Sequence, residues 1–444
     1  MELLLSSFLL LHLVVGTSAI RLNQELGQLK LPALQLPLDH VPGSLSFSDV
    51  LALDSARVKF LNSRLQKNLT AAAVFPGGLT EGAFVSAPLN AGLSLGVGNY
   101  YTKIGVGSPA TYYPVVVDTG SSLSWIQCQP CLAYCHPQAS PFFNPSSSNT
   151  YRTLSCEASE CSTLKSATLN SPMCTKSDKC VYTATYGDQS FSQGYLSKDT
   201  LTFGSEALPG FVYGCGQNND GLFGKSAGLV GLAKSSISML SQLSTKYGKA
   251  FSYCLPTASG SGGYLSIGTH STYSPPSFTP LLSDPRDPSL YFVKLTAISL
   301  SGRALAVPAS DYSIPTIIDS GTTISRMAGP VYTALREAMV GIISPRFKLV
   351  EAYSILDSCF AGTAAAIATV VPPVEMRFQG GGALRLAPRN LLLEVEKGTT
   401  CLSFAGNSDI RDSIAIIGNQ QQQTTQVVFD IANSRVGFAA GGCR

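Results

Sequence analysis

Two short segments of this 444-residue chain place a carboxylate where it could do chemistry. Val115-Val-Val-Asp118-Thr-Gly-Ser-Ser122 is echoed by Thr316-Ile-Ile-Asp319-Ser-Gly-Thr-Thr323. Each is an apolar strand running into Asp, a hydroxyl residue, Gly and two more hydroxyl residues. Such a strand delivers a carboxylate out of an apolar core, and the Gly permits a sharp turn that aims backbone amides back at it. Two carboxylates brought face to face cannot both ionise, so the pair shares one proton. One then acts as general base and the other as general acid. A water held between them can attack an amide carbonyl without a metal or a nucleophilic side chain.

The carboxylates can meet only if the chain is duplicated around them, and a second echo points that way. Gly228-Leu-Val-Gly231 and Ala415-Ile-Ile-Gly418 each put two apolar residues before Gly. Gly231 stands 113 residues after Asp118, and Gly418 stands 99 after Asp319. Two elements recurring in the same order predict two lobes related by an approximate two-fold axis, with the aspartates at their interface. The texture from Asn99 onward is β. Tyr100–Ile104, Tyr112–Val117, Lys179–Tyr186, Tyr195–Phe203 and Phe211–Tyr213 are rich in Tyr, Val, Thr and Phe and are punctuated by Gly and Pro. Helical patterns are few, with Pro330–Val340 the clearest in this region. The fold class expected is all-β, in two duplicated lobes with the active site in the cleft between them.

The ends read differently. Leu3–Val15 is almost wholly apolar and is followed by Gly16-Thr-Ser-Ala19, which predicts a signal peptide over residues 1–19. Its n-region is atypical, with Glu2 and no Lys or Arg. Residues 20–85 are Leu-rich and free of Cys. Ser46-Phe-Ser-Asp49 is a capping-box pattern before the apolar-periodic run Val50, Leu51, Leu53, Val58, Leu61 and Leu65. Arg57, Lys59, Arg64 and Lys67 decorate that helix, and they read either as a solvated face or as the basic side of a removable prosegment. The sequon Asn68-Leu-Thr70 falls in this segment. The Pro-rich stretch 271–289 is the expected inter-lobe connection, between lobes at 97–270 and 290–444.

Cysteine and histidine usage narrows the chemistry. Eight of the 12 Cys lie between Cys128 and Cys215, an even and crowded set that reads as a disulfide framework in an oxidising compartment. The rival is a zinc site built from Cys128, Cys131, Cys135 and His136, which lacks a closely spaced second ligand pair. Serine or cysteine hydrolases need a His base. Of four His, His12 falls in the signal and His40 in the prosegment, leaving His136 and His270. There is no His-Glu-x-x-His. Gly105-Val-Gly-Ser-Pro-Ala110 mimics a dinucleotide fingerprint, but another strand follows it rather than a helix, so it reads as a turn. A net charge of +3, with 13% charged residues, is too small and dispersed for a nucleic-acid partner.

Taken with their order, these motifs resemble those of the pepsin-type aspartic peptidases. Asp118-Thr-Gly-Ser-Ser-Leu-Ser-Trp125 has the family's Trp seven residues after the first Asp, and it is the single Trp of the chain. Tyr186-Gly-Asp-Gln-Ser-Phe-Ser-Gln-Gly194 is similar to the family's flap, though one residue longer near Gln189. The apolar-apolar-Gly elements correspond to its paired ψ-shaped loops. The resemblance covers about residues 97 to 442. The Cys-rich insertion after Trp125, Phe251-Ser-Tyr-Cys254, Ile417-Gly-Asn-Gln-Gln-Gln422 and Val436-Gly-Phe438 resemble the plant subgroup containing nepenthesins.

The resemblance implies that Asp118 and Asp319 hold the water. Ser121 and Thr322 would buttress the outer carboxylate oxygens, and Gly120 and Gly321 would donate backbone amides. Tyr186 would lie over the substrate, with Trp125 hydrogen-bonded to its hydroxyl. It also implies disulfides Cys359–Cys401 and Cys254–Cys443, polypeptide substrates, no metal or other cofactor, no membrane anchor and a monomer. A secreted zymogen follows, in the extracellular space or the vacuole, with a plastid as the third location. Basic prosegment residues should then lie toward the catalytic carboxylates and lose their grip in acid. The alternative is a catalytically inactive pepsin-fold protein acting as a glycosidase inhibitor or binding protein. Such relatives typically show a damaged dyad, whereas both motifs here are intact.

Overall fold

Strand β3 (Thr111–Asp118) is buried from Tyr113 onward, as a β-branched run covered on both faces should be. The computed structural model that defines it describes residues 46–66, 84–91, 98–186, 190–221, 223–257, 260, 262–268, 272, 274–407 and 414–443. The expected signal 1–19, the sequon at Asn68, Lys67, His12, His40, His270 and the flap residues 187–189 lie outside the described residues.

β3 pairs antiparallel with β2 (Tyr100–Val106), so Gly105–Ala110 closes a hairpin. On its other side β3 runs parallel to Gly228–Gly231, which places Gly231 opposite Asp118. That segment also meets β4 (Trp125–Gln127) in antiparallel register. The second half of the chain repeats the arrangement. Thr316–Ile318 runs parallel to Ala415–Ile417, and Arg326 opposes Ile416 from the antiparallel side. The chain is a duplicated, two-lobed β protein, and each aspartate leaves the end of its lobe's central strand.

The lobes are joined by more than a linker. Ala250–Cys254 pairs with Thr425–Asp430, which pairs with Arg435–Ala440, which in turn pairs with Ser277–Pro280. One sheet therefore runs between the halves, and the 271–289 connection contributes a strand to it. Phe251 and Phe429 stack across this junction with ring centroids 4.4 Å apart. Strand β1 (Phe84–Ala91) pairs with Gly263–Gly268, so the expected prosegment boundary at 85 falls inside a strand.

All 12 Cys are bridged. Cys128–Cys215, Cys131–Cys135, Cys156–Cys174 and Cys161–Cys180 brace the insertion after Trp125. Cys128, Cys131 and Cys135 are thus committed to disulfides, and the thiolates a zinc site would need are not there. Cys254–Cys443 ties the shared sheet to the chain end, and Cys359–Cys401 bridges facing strands of the second lobe.

Helix α1 (Phe47–Gln66) starts as its capping pattern predicts. Asp49 N–H donates to Ser46 Oγ at 3.2 Å, and Ser46 N–H donates to Asp49 Oδ2 at 3.0 Å. Val50, Leu51, Val58, Leu61 and Leu65 are buried along it, each stabilising by roughly 1.5–3 kcal/mol. Their partners belong to the second half of the chain: Leu290, Phe292, Ile317, Ile414 and Ile416 for Val58, Leu61 and Leu65, and Ile324, Leu356 and Val395 for Leu51. The helix predicted over Pro330–Val340 spans Gly329–Ile343, with Pro in its first turn. Among the described residues, no helix is long and apolar enough to cross a membrane.

Candidate active site

The two aspartates meet, both fully buried. Gly120 N–H donates to Asp118 Oδ1 at 2.9 Å, and Gly321 N–H donates to Asp319 Oδ1 at 3.1 Å. Neither glycine adopts a positive φ. What each supplies is room: a Cβ on Gly120 would come within 2.9 Å of Asp319 Oδ1, and one on Gly321 would strike Asp118 Oδ1. The sharp turn expected of these glycines is therefore a close approach instead, each making space for the other lobe's carboxylate.

The hydroxyl between Asp and Gly in each motif locks the lobes together, a role sequence reasoning missed. Thr119 N–H donates to Ser320 Oγ at 3.2 Å, and Ser320 N–H donates to Thr119 Oγ1 at 2.9 Å. Ser320 Oγ donates in turn to Val117 O at 3.1 Å. The sequence signal was the recurring hydroxyl at that position, but its partner lies 201 residues away. Asn419, noticed only as a subgroup marker, donates from Nδ2 to Ser320 O at 3.1 Å and supports the same loop.

Helix α1 lies over this dyad, and Arg57 forks between the carboxylates. Its Nη2 is 2.5 Å from Asp118 Oδ1 and 3.0 Å from Asp319 Oδ1. Its Nη1 is 3.3 Å from Asp118 Oδ2, and its Nε is 2.9 Å from Asp319 Oδ2. Planar guanidinium geometry suits this double contact as no ammonium could. Thr322 Oγ1 donates to Asp319 Oδ2 at 2.6 Å, as expected. Its counterpart does not: Ser121 Oγ is buried without a hydrogen bond. The expected buttress at Asp118 is not made here, although Asp319 accepts from Thr322 alongside Arg57 and the Gly321 amide.

Two further polar anchors flank Arg57. Asp54 accepts from the Thr323 and Ile324 N–H groups, the latter at 3.2 Å, and pairs with Arg326 Nη2 at 3.0 Å. Arg64 Nη1 donates to Gly120 O at 2.6 Å, Nη2 donates to Ser289 Oγ at 2.9 Å, and Nε lies 2.6 Å from Asp287 Oδ2. Of the basic residues expected on this helix, Arg57 and Arg64 face the cleft, while Lys59 is exposed.

These contacts set the charge states. Burial pushes Asp319 up, but the Arg57 charge and hydrogen bonds, Thr322 and the Gly321 amide outweigh it and hold the carboxyl below its ordinary range. Burial dominates at Asp54 and holds it above the ordinary range despite Arg326 and the two amides. Arg57 is held even more firmly protonated than usual: burial opposes its charge, and the two aspartates overcome that.

Trp125 Nε1 donates to Tyr186 Oη at 2.7 Å, the contact the resemblance implied. Phe223 completes the platform, edge-on to Trp125 at 4.9 Å and to Tyr186 at 5.4 Å. His136 lies behind it, its Nε2 2.9 Å from Ser226 O, away from the dyad. It is not placed to serve as a hydrolase base.

Residues 100–269 match the family model described as the xylanase inhibitor N-terminal domain, and residues 290–440 match its C-terminal counterpart. An aspartyl protease family protein of Arabidopsis thaliana is 40% identical over 397 residues, which is 89% of this chain and 82% of that protein. The aspartic proteinase nepenthesin-1 of Nepenthes gracilis is 32% identical over 440 residues, covering 96% of this chain and 94% of nepenthesin-1. The crystal structure of basic 7S globulin from soybean superposes with a TM-score of 0.63 at 21% identity, over 80% of this chain and 96% of the globulin. That last likeness bears on the fold alone.

Proposed function

The chain belongs to the pepsin-type aspartyl proteases of plants, in the nepenthesin-like group, and from that premise we propose that it is an aspartic endopeptidase made as a self-blocked precursor. The observation that carries the reading is the intact dyad with Arg57 seated in it. An arginine bridging two buried carboxylates occupies the position a water and a scissile carbonyl would need.

Once α1 leaves, the aspartates lose their counter-ion and the pair takes up one proton. The ionised member draws a proton from the water as it attacks the substrate carbonyl, and the protonated member donates to the carbonyl oxygen. Collapse of the tetrahedral species returns a proton to the departing amine. The Gly120 and Gly321 amides, Thr322 and the crossed Thr119–Ser320 hydroxyls keep the two carboxylates in register. Tyr186, tethered by Trp125, covers the bound peptide.

We assign residues 1–19 to a secretory signal and the α1 segment to the removable prosegment, with the extracellular space or the vacuole as destination. Acid digestion of an unfolded protein, with and without pepstatin, tests the activity. Asp118→Asn should abolish cleavage while the fold is retained. Undiminished digestion by that variant would sink the assignment.

A second reading, an inactive inhibitor of glycosidases, is favoured by the description of the matching family models. Against it stand both intact motifs and the helix that guards them, since a cleft without chemistry needs no counter-ion in its dyad. Xylanase inhibition by the purified protein, with no proteolysis in acid, would reverse this preference.

A further inference from the structure

When α1 leaves, a second buried carboxylate besides the dyad loses its cation. Asp287 is 1% exposed and is held by Ser289, whose Oγ donates to Asp287 Oδ1 at 2.6 Å and whose N–H donates at 3.2 Å. Arg64 Nε rests 2.6 Å from the other oxygen, Oδ2. The same guanidinium donates to Gly120 O, two residues from Asp118. The spot is therefore inside the cleft and adjacent to the dyad loop.

Resting on the peptidase reading above, we infer that Asp287 is a specificity-determining residue, which selects substrates carrying Lys or Arg at one fixed position near the scissile bond. The spacing can be read from the helix. Arg64 follows Arg57 by seven residues, about 10.5 Å along a helix axis at ~1.5 Å per residue. An extended peptide advances ~3.3 Å per residue, so a peptide running along the path of α1 would place the basic side chain about three residues from the bond that is cut. A buried carboxylate stripped of its partner is a costly state, which favours any cation that can reach it. Beside Arg64 lies a hollow lined in part by Leu123, Ala167, Leu169, Ala184 and Tyr186. A lysine or arginine stem is apolar and suits such a wall while its head reaches an acid. Asp287 is already oriented by Ser289, so substrate binding need not organise it.

Lys234 is the internal competitor. Its backbone N–H donates to Ser289 O at 2.8 Å, and its Nζ lies over the Tyr291 ring, 5.6 Å from the centroid. Burial pulls this amine down to about 8, with the Asp287 charge pulling the other way. If Lys234 swings onto Asp287 when Arg64 departs, the site is neutralised and the inference fails.

The acid-activated protein should be given an unfolded protein in mild acid. Cut sites are mapped by mass, and then paired peptides carrying Lys or norleucine at the mapped position are compared. The expected results are enrichment of Lys and Arg at one offset, and a Lys-to-norleucine ratio of kcat/KM that falls about tenfold in Asp287→Asn, mainly through KM. Asp287→Glu should restore part of the ratio. A merely structural role would weaken both peptides alike and leave the ratio unchanged, which overturns the inference, as does wild-type cleavage without basic enrichment. The second outcome needs no variant to fold. Wild-type protein that cuts nothing would instead remove the peptidase reading, and this inference with it.

Discussion

Replacing Arg57 with Ala should loosen α1 without unfolding the protein around it. The guanidinium makes four contacts of 2.5–3.3 Å with two fully buried carboxylates, and its own side chain is 17% exposed. Removing one partner of such a buried cluster costs about 3–5 kcal/mol, because uncompensated charge is left behind. The dyad can relieve part of this by taking up one proton, so the lower end, about 3 kcal/mol, is the fitting magnitude. That corresponds to an opening equilibrium roughly 100-fold more favourable. Hydrogen exchange of peptides covering residues 47–66 at pH 7 reads the opening directly, with no need for catalysis. Protection of α1 should fall by about two orders of magnitude, while Thr425–Ala440 in the shared sheet keeps its own. Arg57→Lys should fall between, because an ammonium cannot fork across both carboxylates. If Arg57→Ala left α1 protection unchanged, the bridge would be ornamental and the self-blocking mechanism wrong.

Four other outcomes follow from the same geometry. Asp319 lies below its ordinary range when α1 is docked, so its contribution to docking is present above the undocked value and is lost as pH falls through the depressed one. Release of α1, followed by cleavage after Lys59 with an added protease, should therefore begin only near or below about pH 4. Asp54 has the opposite sign, since its raised docked value makes acid favour docking. Asp54→Asn resembles the protonated acid, already the favoured form where release occurs, so its release midpoint should stay nearly unchanged; a large shift in either direction would contradict the assignment. Gly120→Ala pushes a methyl toward Asp319 and Arg57 and should lower kcat of the activated protein at least tenfold in a peptide assay. Trp125→Phe keeps the ring contact with Phe223 but deletes the bond to Tyr186 Oη; a net loss of about 1 kcal/mol, seen as roughly fivefold in kcat/KM, is expected.

Legibility from sequence followed how locally each feature is encoded. The aspartate motifs, the apolar-apolar-Gly elements and the Trp125–Tyr186 pair are written in contiguous residues, and their geometry emerged as the duplication implied. The capping box of α1 was equally readable. What was not readable is which charges the helix buries. Asp54, Arg57 and Arg64 lie on the side facing the cleft, interleaved with Val58 and Leu61, whereas an amphipathic pattern assigns charges to solvent. Only a partner surface rich in carboxylates and free amides reverses that reading, and that surface is assembled from residues 118–120, 287–289 and 319–326. Ser121, whose place in its motif matches that of Thr322, makes no counterpart bond to Asp118. The four insertion disulfides were one pairing among 105 formal ones, and the sequence offered no basis for choosing it.

The docking surface of α1 has a consequence for biosynthesis. The helix is made well before its apolar partners Ile317, Ile414 and Ile416, which follow it by some 250 residues or more. Ala415–Ile417 is also the strand that pairs beside Thr316–Ile318 and sets Asp319 in place. The event that completes the dyad therefore completes the seat for Arg57. Because the helix is covalently attached, its effective concentration at that seat is on the order of millimolar, far above that of any cellular peptide competitor. On the proposed peptidase reading, a newly finished molecule would therefore meet its own helix before a substrate reaches the cleft.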